Sequence, residues 1–245
     1  MKPDPSRGVF ETLLVVDGCP MELDAHLGRL RESVRALYGS ALPPEAREFL
    51  QRGCAELDLG RVRLTVAQGK EELVCEVVAE PIDPILHMPA WEDGADLRGH
   101  RLPGGLGAHK WVDRSLLPLT EDPPLLLDTA DDVLEASWAN VFSVSDGTLA
   151  TPALDGRILP GVTRAVAIEV ARGEGIVVEQ RRVGRHELHE ADEVFLTGSI
   201  RGIQPARSLD GGKIPKGEIA PLLADRLARR YRTSRTLPAA LTSSA

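Results

Sequence analysis

GGLGAHKWVDRSLL, residues 104–117, divides the chain in two. A glycine-rich turn runs straight into His109-Lys110-Trp111, a lysine set between two ring side chains. Glycines let the backbone come close to a ligand. A lysine drawn partly out of water has a lowered pKa, which suits it to Schiff-base chemistry. Taken alone, the pattern also describes a surface lysine on a loop. Lys110 is informative because the chain uses arginine wherever a plain positive charge will do. Of 29 basic residues only five are lysines: Lys2, Lys70, Lys110, Lys213 and Lys216.

Upstream, this stretch ends a segment dense in Pro and Gly, residues 81–108, the best boundary candidate in the chain. Within it, Ile85 to Pro89 reads as a possible strand. Before it, GVFETLLVVDG (Gly8 to Gly18) reads as a strand closed by an Asp-Gly turn. Leu23, Leu27, Leu30, Val34 and Leu37 recur at three and four, predicting an amphipathic helix stopped by Gly39. Pro43-Pro44 opens a second helix running to about Leu57. RVRLTVAQ (61–68) alternates polar and apolar, and LVCEVVAE (73–80) follows a tight turn, so the two read as a strand pair. The order β-α-α-β-β makes a small α+β unit.

Downstream, short strands are expected at Leu125 to Asp128, Val141 to Val144 and Leu149 to Thr151. A helix is expected at Pro160 to Gly173 and a strand at Ile176 to Arg182. Glu193 to Thr197 reads as an apolar strand, and Ile214 to Tyr231 as a closing helix. The expected division is a small N-terminal α+β domain at 1–102, a larger mixed α/β domain at 103–233, and a disordered polar tail at 234–245.

The chain has 245 residues, 42% hydrophobic, with a formal net charge of −8. That length buries enough surface to fold without disulfides or a structural metal. The acidic balance argues against a general nucleic-acid or anionic-membrane binder. No apolar run reaches a membrane span, and Met1 to Gly8 has no signal-peptide core. Cys19, Cys54 and Cys75 are odd in number and lack ligand spacing, so a reduced cytoplasm and packing as small hydrophobes are expected. His186 and His189 are expected in a solvated turn, with no metal.

Three more segments carry chemistry. In VLEASWANVFSV (133–144), Glu135 precedes an apolar strand containing Asn140; a capping or turn acid is the ordinary reading. In LPGVTR (159–164), the start of a helix leaves the N–H groups of Val162 and Thr163 free beside a hydroxyl. That is a ready phosphate site, or an ordinary N-cap. In DEVFLTGSIRG (192–202), a strand runs into Thr197-Gly198-Ser199, which offers donors to an anion or forms a simple turn.

In this order and at these spacings the four segments resemble the class IV aminotransferases, the fold-type IV pyridoxal-phosphate enzymes. That family includes branched-chain aminotransferases, D-amino-acid aminotransferases and 4-amino-4-deoxychorismate lyases. AHLGRL (25–30) matches the family's H-x-x-R-L pattern, so the resemblance runs from Gly8 to Gly212. It implies pyridoxal 5'-phosphate as cofactor. Lys110 would hold the cofactor as a Schiff base and act as the proton-transferring base. Glu135 would pair with the pyridine nitrogen and keep it protonated. Arg29 would bind the phosphate, joined by Val162, Thr163 and, after Gly198, Ser199. Leu159 would pack against one ring face.

Within the family, the sequence is most similar to the lyases. The tyrosine that branched-chain enzymes carry five residues after the lysine is Ser115 here. HKWVDR resembles the lyase K-x-x-N-R, with Asp113 for Asn and Arg114 retained. Phe10 stands where D-amino-acid enzymes carry Tyr, and Thr12 falls in the region of a lyase active-site Thr. Arg114 and Arg201 are candidates to meet the two acidic functions of aminodeoxychorismate. The implied reaction yields 4-aminobenzoate, a folate precursor, and pyruvate. The alternative is an aminotransferase acting on a branched-chain, D-amino or other primary amine. From other classes, a non-catalytic pyridoxal-phosphate binder or a generic α/β phosphate-binding protein stays open. A homodimer with a small-molecule substrate is expected, with no nucleic acid and no membrane.

Overall fold

In the computed structural model, which describes residues 2–120 and 122–234, β1 (Val9–Val16) is buried on both faces. Val9, Leu13 and Val15 enter one core; Leu14, pointing the other way, enters a second. Burial on both sides explains the near-continuous apolar run. The turn at Asp17-Gly18, both at positive φ (48° and 73°), leads to β2 (Cys19–Pro20). α1 (Leu23–Tyr38) ends where Gly39 takes the left-handed conformation. α2 (Ala46–Cys54) is shorter than the expected helix, starting after the two prolines. β3 (Leu59–Gln68) and β4 (Leu73–Pro81) complete an antiparallel sheet of order β2-β1-β3-β4. Leu27, Leu30 and Val34 of α1 and Leu50 and Cys54 of α2 pack on Val62, Leu64 and Val66 of β3.

The Pro/Gly-dense stretch is more structured than its composition implies. Residues 84–86 form a single 3-10 turn instead of the possible strand. Farther on, β5 (Ala95–Arg101) forms before residue 102, yet it pairs into the second sheet.

That sheet is built from β6 (Pro124–Leu127), β7 (Val133–Ala136), β8 (Asn140–Ser145) and β9 (Thr148–Pro152). Next come α3 (Val162–Gly173), β10 (Val178–Arg181), α4 (Arg185–Glu190), β11 (Glu193–Gly198), β12 (Gly202–Leu209) and β13 (Gly212–Lys213). The strand order is β10-β9-β8-β11-β12-β5-β6-β7, with β13 on β12. The pairs β9/β10, β5/β12 and β5/β6 are parallel, so the sheet is mixed. The closing helix α5 (Ile219–Ser234) starts later than expected. It packs with α3 around Phe142 and Phe195, whose rings stack at 5.0 Å.

Several expectations change. Glu135 precedes β8, the apolar strand that contains Asn140, but itself lies within a further strand, β7, and not in a cap or turn. His186 and His189 sit on the short helix α4, not in a turn. Cys54 is buried as a small hydrophobe, but Cys19 is exposed. Apart from Ser234, the expected tail lies outside the described residues.

The two sheets meet where the lysine segment lies along the start of β1. Phe10 N donates to Lys110 O at 2.9 Å and Val112 N to Gly8 O at 3.0 Å. Lys110 is thereby carried on a strand-like ledge beside β1.

Candidate active site

Lys110 lines two adjoining hollows. One is a narrow cavity bounded by Arg29, Glu135, Leu159, Val162, Thr163 and Ser199, with Gly198 between them. The other is an open cleft of about 400 Å³ that includes Thr12, Arg63, Arg114 and Arg201. The eleven site residues expected from the sequence therefore line these two hollows: Lys110 and seven others around the cavity, and Thr12, Arg114 and Arg201 in the cleft.

Electrostatics in the cavity follow from burial. Lys110 is lowered to about 8 by desolvation first, and then by the charges of Arg29 and Arg114. Its ammonium is therefore easily converted to a nucleophilic amine. Glu135 is pushed up to about 7 by burial, against the pull of the Leu159 N–H and of Arg114 and Lys110. Its Oε2 accepts from Leu159 N at 3.1 Å and, more distantly, from Asn140 Nδ2 at 3.5 Å. Asn140 Nδ2 also donates to Leu159 O at 2.9 Å, tying residue 159 to β8. Gly161 is required beside it, because a Cβ there would stand 2.0 Å from Asn140 Oδ1. The first turn of α3 then opens into the cavity with the N–H groups that no helix satisfies internally.

Arg29 and the residues around it were only partly legible. Glu11 of β1, buried at 1% exposure, grips the guanidinium side-on: Nε donates to Oε1 at 2.8 Å and Nη2 to Oε2 at 2.6 Å. Arg29 Nη1 donates to Pro160 O at 3.0 Å, which anchors α1 to the start of α3. His26 Nδ1 lies 2.7 Å from Glu11 Oε2, and its Nε2 lies 3.4 Å from Ser199 Oγ. Sequence reasoning missed Glu11 and His26 as site residues. The available signal was a carboxylate on the same strand face as Val9, Leu13 and Val15, since a buried charge demands partners.

The cleft is cationic. Strand register sets Thr12 opposite Arg63, so both project from the face opposite Val9, Leu13 and Val15. Arg63 stacks on Phe10 with its guanidinium carbon 3.7 Å from the ring centroid. Lys110 Nζ and the Arg114 guanidinium approach the same ring at 5.2 and 5.7 Å. Arg63 was not anticipated, although the alternation of RVRLTVAQ implied it. Arg114 Nη1 donates to Ser137 O at 2.9 Å. Arg201 lies 5.9 Å over Trp138, on a turn clasped from behind: His87 Nδ1 contacts Ile200 O at 2.9 Å and Met88 N donates to Arg201 O at 3.1 Å. Arg61 is paired with Glu80; Arg63, Arg114 and Arg201 have no carboxylate ion-pair partner among the described residues. Asp113, at the position of the lyase Asn, turns away and accepts from Asp4 N at 2.8 Å and Ser115 N at 3.1 Å.

The class IV aminotransferase pattern matches residues 8–101 and 108–209, which include every residue of the cavity. The chain belongs to this family. Among solved structures, 4-amino-4-deoxychorismate lyase from Pseudomonas aeruginosa is 32% identical, with 91% of each chain covered and a TM-score of 0.74. The pyridoxal-phosphate-bound form of a hypothetical aminotransferase from Mycobacterium tuberculosis is 25% identical over 94% of this chain and 90% of its own, with a TM-score of 0.81. The branched-chain-amino-acid aminotransferase of Escherichia coli K12 is 38% identical over 98 residues, 40% of this chain and 32% of that enzyme.

Pyridoxal 5'-phosphate is the cofactor of this class IV protein, and the cavity fits it. Thr197 Oγ1 is buried there without a hydrogen-bond partner among the described residues. Glu135 forms no direct salt bridge among the described residues, which suits it to a pyridinium N–H. The open first turn of α3 suits a phosphate.

Proposed function

We propose that the chain is a 4-amino-4-deoxychorismate lyase, releasing pyruvate and forming 4-aminobenzoate. The observation that carries this reading is the set of three guanidinium groups in the cleft, Arg63, Arg114 and Arg201, without a carboxylate ion-pair partner among the described residues. A substrate with two carboxylates needs such cations, because buried anions are costly unless paired. The likeness to the Pseudomonas lyase supports the same reading.

When bound, pyridoxal phosphate supplies an electron sink for the carbon bearing the substrate's amine. Lys110 Nζ would hold the cofactor, then, once displaced, take the proton from substrate C4. The electron pair left behind forms the ring double bond as the C3–O bond breaks. The departing enolpyruvate takes up a proton to become pyruvate. Glu135 would keep the proton on the pyridine nitrogen. Arg29, Thr163 and the first N–H groups of α3 would hold the phosphate, Ser199 would contact it, and Leu159 would cover a ring face. Thr12, Arg114, Arg201 and Arg63 would orient the substrate.

Incubating the holoprotein with enzymatically generated aminodeoxychorismate should yield 4-aminobenzoate and pyruvate in equal amounts. Absence of both, together with conversion of the cofactor to its pyridoxamine form by an amino donor alone, would make it an aminotransferase.

The active unit in this reading is a homodimer. Val78 and Trp138, 50% and 40% exposed, rim the open cleft, and a second copy covering them would exclude water. Sedimentation should give about twice 26.5 kDa. Among the described residues no helix is long and apolar enough to cross a membrane.

A further inference from the structure

We infer that Glu11, His26 and Ser199 form a proton-linked relay: His26 gains a proton at Nε2 when the cofactor phosphate binds, and this frees the Ser199 hydroxyl to donate to the phosphate. The inference rests on the reading that Ser199 and Arg29 meet that phosphate. It follows from counting hydrogens.

Glu11 is held near 2: burial alone would raise it, but the Arg29 charge and the bonds from His26 and Arg29 outweigh that. The carboxylate is therefore an acceptor only, and His26 Nδ1, 2.7 Å away, must carry a hydrogen. Burial lowers His26, so without a ligand the ring is neutral and Nε2 is a bare acceptor. Ser199 has one hydroxyl hydrogen and Nε2 at 3.4 Å to receive it. In that state Ser199 turns lone pairs toward an incoming phosphate, which repels it. With a second proton on the ring, Nε2–H donates to Ser199 Oγ and the hydroxyl hydrogen is free to face the anion.

The charged groups that act on the ring are Glu11 from β1, Arg29 from α1 and Lys110 from the ledge beside β1. Arg29 and Lys110 disfavour the imidazolium and Glu11 favours it. A phosphate dianion adds two negative charges on the Ser199 side and tips that balance toward the protonated ring.

The test compares pyridoxal phosphate with pyridoxal, which lacks only the phosphate. With 15N-labelled histidine, the His26 Nε2 resonance, assigned by its loss in His26→Asn, should move from the unprotonated to the protonated position with pyridoxal phosphate and stay put with pyridoxal. Above pH 7, where the phosphate remains a dianion, the wild-type preference for pyridoxal phosphate should fall as pH rises. His26→Asn keeps a donor for Glu11 but removes the Nε2 arm, and should lower the preference about tenfold. His26→Gln puts a permanent donor near Ser199 and should leave the preference independent of pH. An Nε2 resonance that responds equally to both ligands, or the same pH dependence in His26→Gln, overturns the relay. A wild type with no preference for pyridoxal phosphate overturns the phosphate assignment instead.

Discussion

The cavity and the cleft share Lys110, yet they treat charge in opposite ways. In the cavity the protein holds its charged groups with its own partners: Glu11 holds Arg29 and His26, Leu159 and Asn140 hold Glu135, and Pro160 O takes a further hydrogen of Arg29. In the cleft, three guanidinium groups stand over Phe10 and Trp138 with no carboxylate ion-pair partner among the described residues. A resident cofactor calls for a socket organised in advance, because rigid donors lose little entropy on binding. A transient dianion is better met by cations it can itself neutralise.

The largest effect should come from the shared residue. Lys110→Ala should abolish the borohydride-fixable cofactor adduct and cut turnover by at least about 10²–10⁴-fold, the range of a lost general base. In the wild type, the rate of adduct formation should rise as pH passes about 8, because Lys110 is an unreactive ammonium below that value and an amine above it. A reducible adduct in the Ala variant would remove Lys110 from the centre of both hollows.

Glu135→Gln should lower turnover by roughly 10²–10³-fold while cofactor absorbance persists. The amide keeps an acceptor for Leu159 N but cannot hold a pyridinium proton. Near-normal turnover would mean that this part of the cavity is structural.

Arg114→Gln should raise KM for the substrate by about tenfold to a hundredfold and leave cofactor affinity unchanged. Cofactor affinity falling in step with KM would erase the division between cavity and cleft. Ser199→Ala, the mildest change, should weaken cofactor binding about two- to tenfold with no change in substrate KM at saturating cofactor.

What could be read directly was whatever repeats locally. The three-and-four spacing of α1, the strand run of β1 and the Pro-Gly start before α3 lie within single segments. They report burial on a face that the segment itself defines. Lys110 stood out because it is rare in this chain, and LPGVTR because a helix start carries free N–H groups wherever it sits.

Tertiary structure alone decided the rest, and the reason is distance along the chain. β5 has weak local patterning; it is a strand because β12 and β6 supply its ladder, with Ala95 paired to Ala206. Glu11 reads as a polar interruption of an apolar strand until α1 returns Arg29 and His26 to its carboxylate. Ser199 faces His26 across 173 residues of sequence. A side chain's periodicity is its own property, whereas a hydrogen bond or an ion pair belongs to two residues, and only the folded chain determines which two meet.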